Sequence, residues 1–151
     1  MQKNLIFLTL VAVLLQVSCS PDGQKSEEQK LSDISIEPIQ IQRYEKALFT
    51  LNPDSLGKGL RRIADKFPVF LDADLHDTLN IIQLHEFVTN PLNRRLYDSV
   101  TAKYPTLAPY ENSFTQAFKW FRYYFPGKEI PGVYSYVSGL VFDYPVQFIR
   151  G

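Results

Sequence analysis

The chain has 151 residues, which is the length of one ordinary domain. Apolar residues make up 45% of it, and 16 basic residues balance 16 acidic ones. A core is therefore affordable, and with no basic excess or basic stripe nucleic acid is excluded as a partner.

The first elements are a targeting segment. Met1–Asn4 is a short, positively charged start, Leu5–Leu15 is apolar apart from Thr9, and Ser18 stands directly before Cys19, the only cysteine. This is the build of a secretory signal, and its apolar stretch falls short of the ~20 residues that a membrane span needs. With the cysteine just past the cut, the segment resembles a bacterial lipoprotein signal. Gln16 departs from that pattern, in which an aliphatic residue is usual at that place. The resemblance implies that residues 1–18 are removed and that Cys19 is the lipidation site, its thiol taking diacylglycerol, with palmitate among the acyl chains. Membrane lipid is then a partner, and two or more acyl chains anchor stably where one does not. A plain secretory signal with an incidental cysteine is the alternative.

Residues 19–32 hold no aromatic and almost nothing apolar, so they read as a lipidated flexible tether, spanning on the order of 20 Å if coil-like. The folded domain is expected over residues 33–151. Ile34, Ile36, Ile39 and Ile41 alternate with polar residues as an extended segment, broken by Pro38 and running into QRYEKALF. Asn52-Pro53 then supplies a cap and a first-turn proline, and Leu56, Leu60, Ile63, Ala64 and Phe67 recur at helical spacing until Pro68. Asp77 caps a second helix through Val88. Asn90-Pro91 opens a third, in which Leu92, Leu96, Val100 and Tyr104 step four at a time to Pro105. A fourth covers Pro109 to Phe125, with Phe114, Phe118, Phe121 and Phe125 along one side, and Pro126-Gly127 ends it.

After Pro131-Gly132 the period changes to that of strands. Val133, Tyr134, Tyr136, Val137, Val141, Phe142, Val146, Phe148 and Ile149 are β-branched or aromatic, with Asp143-Tyr144-Pro145 as a turn, which predicts a hairpin. The fold class expected is α+β, mainly helical with about four helices, an N-terminal extended segment and a C-terminal antiparallel β-hairpin.

Candidate chemistry is sparse. His85-Glu86 suggests half of a zinc-peptidase motif, in which two histidines one helical turn apart grip the metal and the glutamate serves as base. The place of the second histidine holds Thr89, and the only other histidine is His76. Asp72, Asp74 and Asp77 crowd together, but a calcium loop would need glycine and glutamate where Asp77 and Gln83 stand. Turn formation and helix capping explain these carboxylates more simply. There is no Gly-rich phosphate loop and no GxSxG elbow, and nothing singles out a pair of carboxylates. No catalytic residue, metal ligand or cofactor is therefore assigned. Trp120, Tyr123 and Tyr124 lie off the apolar stripe of the fourth helix and are candidate ligand-binding rings for a glycan or peptide. Core packing between that helix and the hairpin is the reading favoured for the aromatic segment as a whole.

Three stretches together resemble the gliding-motility lipoprotein GldB family of Bacteroidota. They are QRYEKALF (Gln42 to Phe49), NPLNRRLYDSVTAKY (Asn90 to Tyr104) and FKWFRYYFPGKEIPGVYSYVSG (Phe118 to Gly139), preceded by the lipoprotein signal. The family continues with further strands and helices, so the resemblance covers about its N-terminal half and implies a truncated domain. It implies an envelope lipoprotein of non-enzymatic, assembly or scaffold type, in the gliding and secretion machinery or a non-gliding counterpart, with envelope proteins as partners. It carries no catalytic residues over. Asp22, Glu27 and Glu28 form a weak acidic tract of the kind linked to surface export in that phylum, so the outer membrane is expected. A divergent peptidase-like domain and a surface glycan- or peptide-binding module are the rival readings.

Overall fold

The computed structural model describes residues 27–139, together with Val146 and Phe148. The chain divides into two units, 1–35 and 36–151. In the first, the end of the expected tether is helical: Glu27–Ser32 forms α1. A helix of six residues is marginal in water. Its last turn is held locally, by the Ser32 hydroxyl donating to the Gln29 carbonyl at 2.9 Å and the Ile34 N–H to that of Leu31 at 3.1 Å.

The second unit runs β1 (Ile41–Arg43), α2 (Tyr44–Phe49), a 3₁₀ turn (Pro53–Ser55), α3 (Leu56–Ile63), a second 3₁₀ turn (Ala64–Lys66), α4 (Thr78–Thr89), α5 (Pro91–Lys103), α6 (Ala108–Tyr124) and β2 (Val133–Ser135). The helix starts follow the polar caps in the sequence. The Asn52 side chain accepts from the Asp54 N–H, and that of Asp77 from the Leu79 N–H. Asn90 closes one helix and opens the next. Its own N–H donates to the Glu86 carbonyl at the end of α4, while its side chain accepts from the Leu92 and Asn93 N–H groups at the start of α5. A single residue thus makes the corner between two helices.

The core is built by α2, α3, the segment after it and the end of α4. Leu48, Phe49, Leu56, Leu60, Phe67, Leu71, Leu75 and Val88 are buried, and Val137 joins them from beyond β2. Fully burying such a side chain stabilises by ~1.5–3 kcal/mol. The ring of Tyr44 stacks on that of Phe70 at 4.2 Å, and Phe49 stacks on Tyr97 at 4.7 Å. The α2 residues Tyr44, Glu45, Leu48 and Phe49 all face inward, the spacing of one helical stripe.

Two parts of the expected fold class are corrected. Six helices are present among the described residues rather than about four: α1 and α2 are additional, and each has only six residues, too few for a period to register in sequence. The antiparallel hairpin is overturned as well. Val133–Ser135 pairs in parallel with Ile41–Arg43, in the register Ile41↔Val133, Gln42↔Tyr134 and Arg43↔Ser135. The other predicted arm, Val141–Ile149, lies outside the described residues apart from Val146 and Phe148. Alternation of apolar and polar residues marks a strand but not its partner, and a parallel partner must lie a long crossover away. Here the crossover holds α2 to α6. The fold is mainly helical with one small parallel sheet.

Gly139 ends the described part of this region with φ of 69°, in the left-handed range. A Cβ there would sit 3.1 Å from Cε2 of Phe87, so both conformation and space call for glycine.

Candidate functional site

Among the described residues, a dense polar arrangement is centred on β1 and the first turn of α2. Glu45 is only 2% exposed, and its carboxylate is fully engaged. Nε of Arg43 donates to Oε1 at 2.5 Å, and the Ser135 hydroxyl donates to Oε2 at 2.8 Å. Arg43 also donates through Nη1 to the Tyr104 carbonyl at 2.8 Å and to that of Pro105 at 3.4 Å. The guanidinium therefore closes the C-terminal end of α5, where the last carbonyls lack helical partners and favour a cation. Burial without these partners would cost several kcal/mol per charge. The chain meets that cost with an ion pair and hydrogen bonds on both carboxylate oxygens. The contiguous β1 and α2 are joined by these three side chains to two segments distant in sequence, the end of α5 and β2.

An open groove of about 610 Å³ runs beside this network, lined by Gln40, Gln42, Arg43, Lys46, Thr50 and Lys66 among others. Lys46 Nζ donates to the Pro105 carbonyl at 3.4 Å, and Lys66 lies over the ring of Phe67, 5.6 Å from its centroid. On the core side of the network is a smaller, largely apolar hollow of about 220 Å³ among Tyr44, Leu48, Phe49, Phe70, Leu84 and Phe87. Burial pushes the Tyr44 phenol up to about 12, so this residue is neutral at any physiological pH. In the larger groove the Thr50 hydroxyl is spent on the Lys46 carbonyl at 2.7 Å, and among the described residues no group of three His, Cys, Asp or Glu could hold a metal ion.

The residues nominated from sequence fall elsewhere. His85 and Glu86 are exposed on α4. Thr89, one turn on, donates its hydroxyl to the His85 carbonyl at 2.6 Å, closing the helix end rather than facing a ligand. His76 is exposed in the preceding loop. Asp74 accepts from the His76 N–H at 2.8 Å and Asp77 caps α4, so these carboxylates form a turn and a helix start. Cys19 lies outside the described residues.

Trp120, Tyr123 and Tyr124 do come together. Trp120 stacks on Tyr124 at 5.9 Å and meets Tyr123 edge-on at 5.9 Å, while Tyr123 and Tyr124 are 5.1 Å apart. Along the same helix Phe114, Phe118, Phe121 and Phe125 form a ladder with centroid spacings of 6.0, 6.2 and 5.2 Å. Yet no residue of α6 is buried. Tyr134 of β2 does pack against the core, edge-on to Phe67 and Phe70, so the favoured expectation of core packing for the aromatic segment is corrected only for the α6 rings. They pack on one another, and α6 is fastened to the sheet by polar contacts: the Thr115 hydroxyl accepts from the Ile39 N–H at 2.9 Å and the Glu111 carboxylate from the Ile41 N–H at 3.0 Å. Among the described residues, no helix is long and apolar enough to cross a membrane.

The Arg43–Glu45–Ser135 network is what reasoning from sequence missed. Its signal was an acid at an inward position of a short apolar helix, two residues after an arginine, and a serine amid strand aromatics.

Comparison with known proteins gives one match. The family model described as gliding motility protein GldB matches residues 24–150. Searches of curated proteins and of solved structures find no match. The three stretches that carried the resemblance in sequence are the ones the network joins, through Arg43 and Glu45, Tyr104, and Ser135.

Proposed function

The chain belongs to the gliding motility protein GldB family, and from that premise we propose that it is an envelope-anchored lipoprotein with a non-enzymatic assembly or scaffold role. The observation that carries this reading is the use to which the shared stretches are put. Arg43, Glu45 and Ser135 spend their polar groups on one another and on the end of α5, joining separate segments. A catalytic site would instead leave a base or nucleophile facing a cleft. The role assigned is to present a stable surface to other proteins of the envelope machinery, gliding or non-gliding.

In this reading residues 1–18 are a signal peptide, Cys19 carries the lipid, residues 19–32 link it to the domain, and residues 33–151 make up the domain. The lipid is acyl-bearing glycerol on the thiol, and the outer membrane is the compartment proposed.

Complementation tests the reading. In a gliding bacterium lacking its own family member, the wild-type chain and a His85→Ala chain should restore spreading equally. The Cys19→Ala chain should fail, and should lose both palmitate labelling and partition into detergent. If His85→Ala abolishes function while the protein stays folded, a peptidase-like role replaces the scaffold. If Cys19→Ala still labels, the anchor is misassigned.

A further inference from the structure

The C-terminal end of α6 is not explained by a scaffold core. Tyr123, Tyr124 and Phe125 are 40%, 65% and 53% exposed; Tyr123 and Tyr124 gather with Trp120 at the helix end instead of entering the core, and Phe125 packs on Phe121. Between Gln116 and Lys128 the chain carries Lys119, Arg122 and Lys128 and no Asp or Glu. The rest of the chain carries 13 basic and 16 acidic residues, Glu129 directly after this segment among them, so the segment is a local cationic excess beside the exposed rings of Tyr123, Tyr124 and Phe125.

We infer that the Trp120–Lys128 end of α6 docks on the headgroup layer of an anionic bilayer. Tyr and Trp settle at that level because an apolar ring and a polar tip match its two sides. Lys119, Arg122 and Lys128 complement phosphate charge, and a cation near such a surface strengthens binding roughly fivefold. Shape argues the same way. A soluble ligand or a peptide wants a concavity or groove, and both hollows described above are lined by other residues. The exposed rings at this helix end suit a fluid surface instead. The inference rests on the proposed lipid anchor for holding a bilayer near, since tethering turns a weak second contact into an intramolecular one.

Trp120 is the only tryptophan, so fluorescence reads this site alone. The acylated full chain would be placed in vesicles of equimolar phosphatidylcholine and phosphatidylglycerol. In that setting Trp120 emission should shift to the blue and be quenched by lipids brominated near the headgroup. Raising salt should weaken the quenching. Replacing both lysines in a Lys119→Gln/Lys128→Gln chain should weaken docking by up to about 25-fold, taking fivefold for each. A Tyr123→Ser/Tyr124→Ser chain keeps Trp120 and changes only exposed rings, and it should also lose quenching. Intact mass on the same sample reports acylation, so the two ideas separate. An acylated chain whose Trp120 is neither shifted nor quenched overturns the docking alone. A quenched Trp120 on an unacylated chain upholds the docking and sinks the anchor. Quenching unaffected by the double tyrosine variant overturns the inference. A Trp120 shift with soluble oligosaccharide or peptide but not with vesicles also overturns it, and makes the face a ligand site.

Discussion

Arg43 and Glu45 form an ion pair, Nε to Oε1 at 2.5 Å, with side-chain exposures of 14% and 2%. Two residues apart in sequence, they straddle the junction at which β1 becomes α2, and through Tyr104 and Ser135 they hold the end of α5 and β2. Removing one member of a buried pair leaves the other charged and unmatched, which typically costs 3–5 kcal/mol. Arg43→Ala should therefore lower unfolding stability by about that amount, measured by urea denaturation. The double replacement Arg43→Met/Glu45→Met should cost less than Arg43→Ala alone, because no charge is stranded. A single-variant loss under about 1 kcal/mol would mean that the pair behaves as an exposed salt bridge.

Gly139 is the second sensitive point. Its φ of 69° and the 3.1 Å approach of Phe87 to an added Cβ predict that Gly139→Ala loses stability by roughly 1–2 kcal/mol. Gly139→Asn should suffer less from the conformation, since asparagine visits the left-handed region more readily. Thermal unfolding of both variants would check the order. Equal stability of Gly139→Ala and wild type would refute it.

At the α4–α5 corner, Asn90→Ala removes the side-chain acceptor for two N–H groups while keeping the backbone bond to Glu86. The expected loss is about 1 kcal/mol. Asn90→Asp should retain most of the stability, because its carboxylate can accept the same bonds and suits a helix start. Denaturant midpoints at fixed slope decide it.

Tyr44 gives the molecule an alkaline limit. Its phenol is pushed up from 10.0 to about 12 by burial, so the folded state holds the proton more tightly than the unfolded chain. That contribution is complete below pH 10 and is lost as pH rises from there through 12. It amounts to at most roughly 2–3 kcal/mol. In Tyr44→Phe, stability should fall less steeply over this range. An identical slope in both proteins would show that other groups set the limit.

Much of the helical framework was legible in the residues themselves. Asn52-Pro53, Asp77 and Asn90-Pro91 mark helix starts where they occur, because a polar cap meets the free N–H groups of the turn that follows it. The same local chemistry marked the carboxylates around His76 as turn and cap residues. The three stretches that placed the chain in its family were equally visible as sequence.

What the sequence could not settle by itself was pairing over distance. Alternation at Val133–Ser135 announced a strand, but only the folded chain set it parallel to Ile41–Arg43 and brought the Ser135 hydroxyl to Glu45, 90 residues away in sequence. Likewise the aromatic period of α6 is the same whether a helix enters a core or stands outside it. Its position was decided by Thr115 and Glu111 binding the backbone of the β1 region, and by α2, α3 and α4 having already filled the interior. Local periodicity reports what a segment can bury. Which segment is buried depends on competition among all of them for one core, and that competition is resolved only in three dimensions.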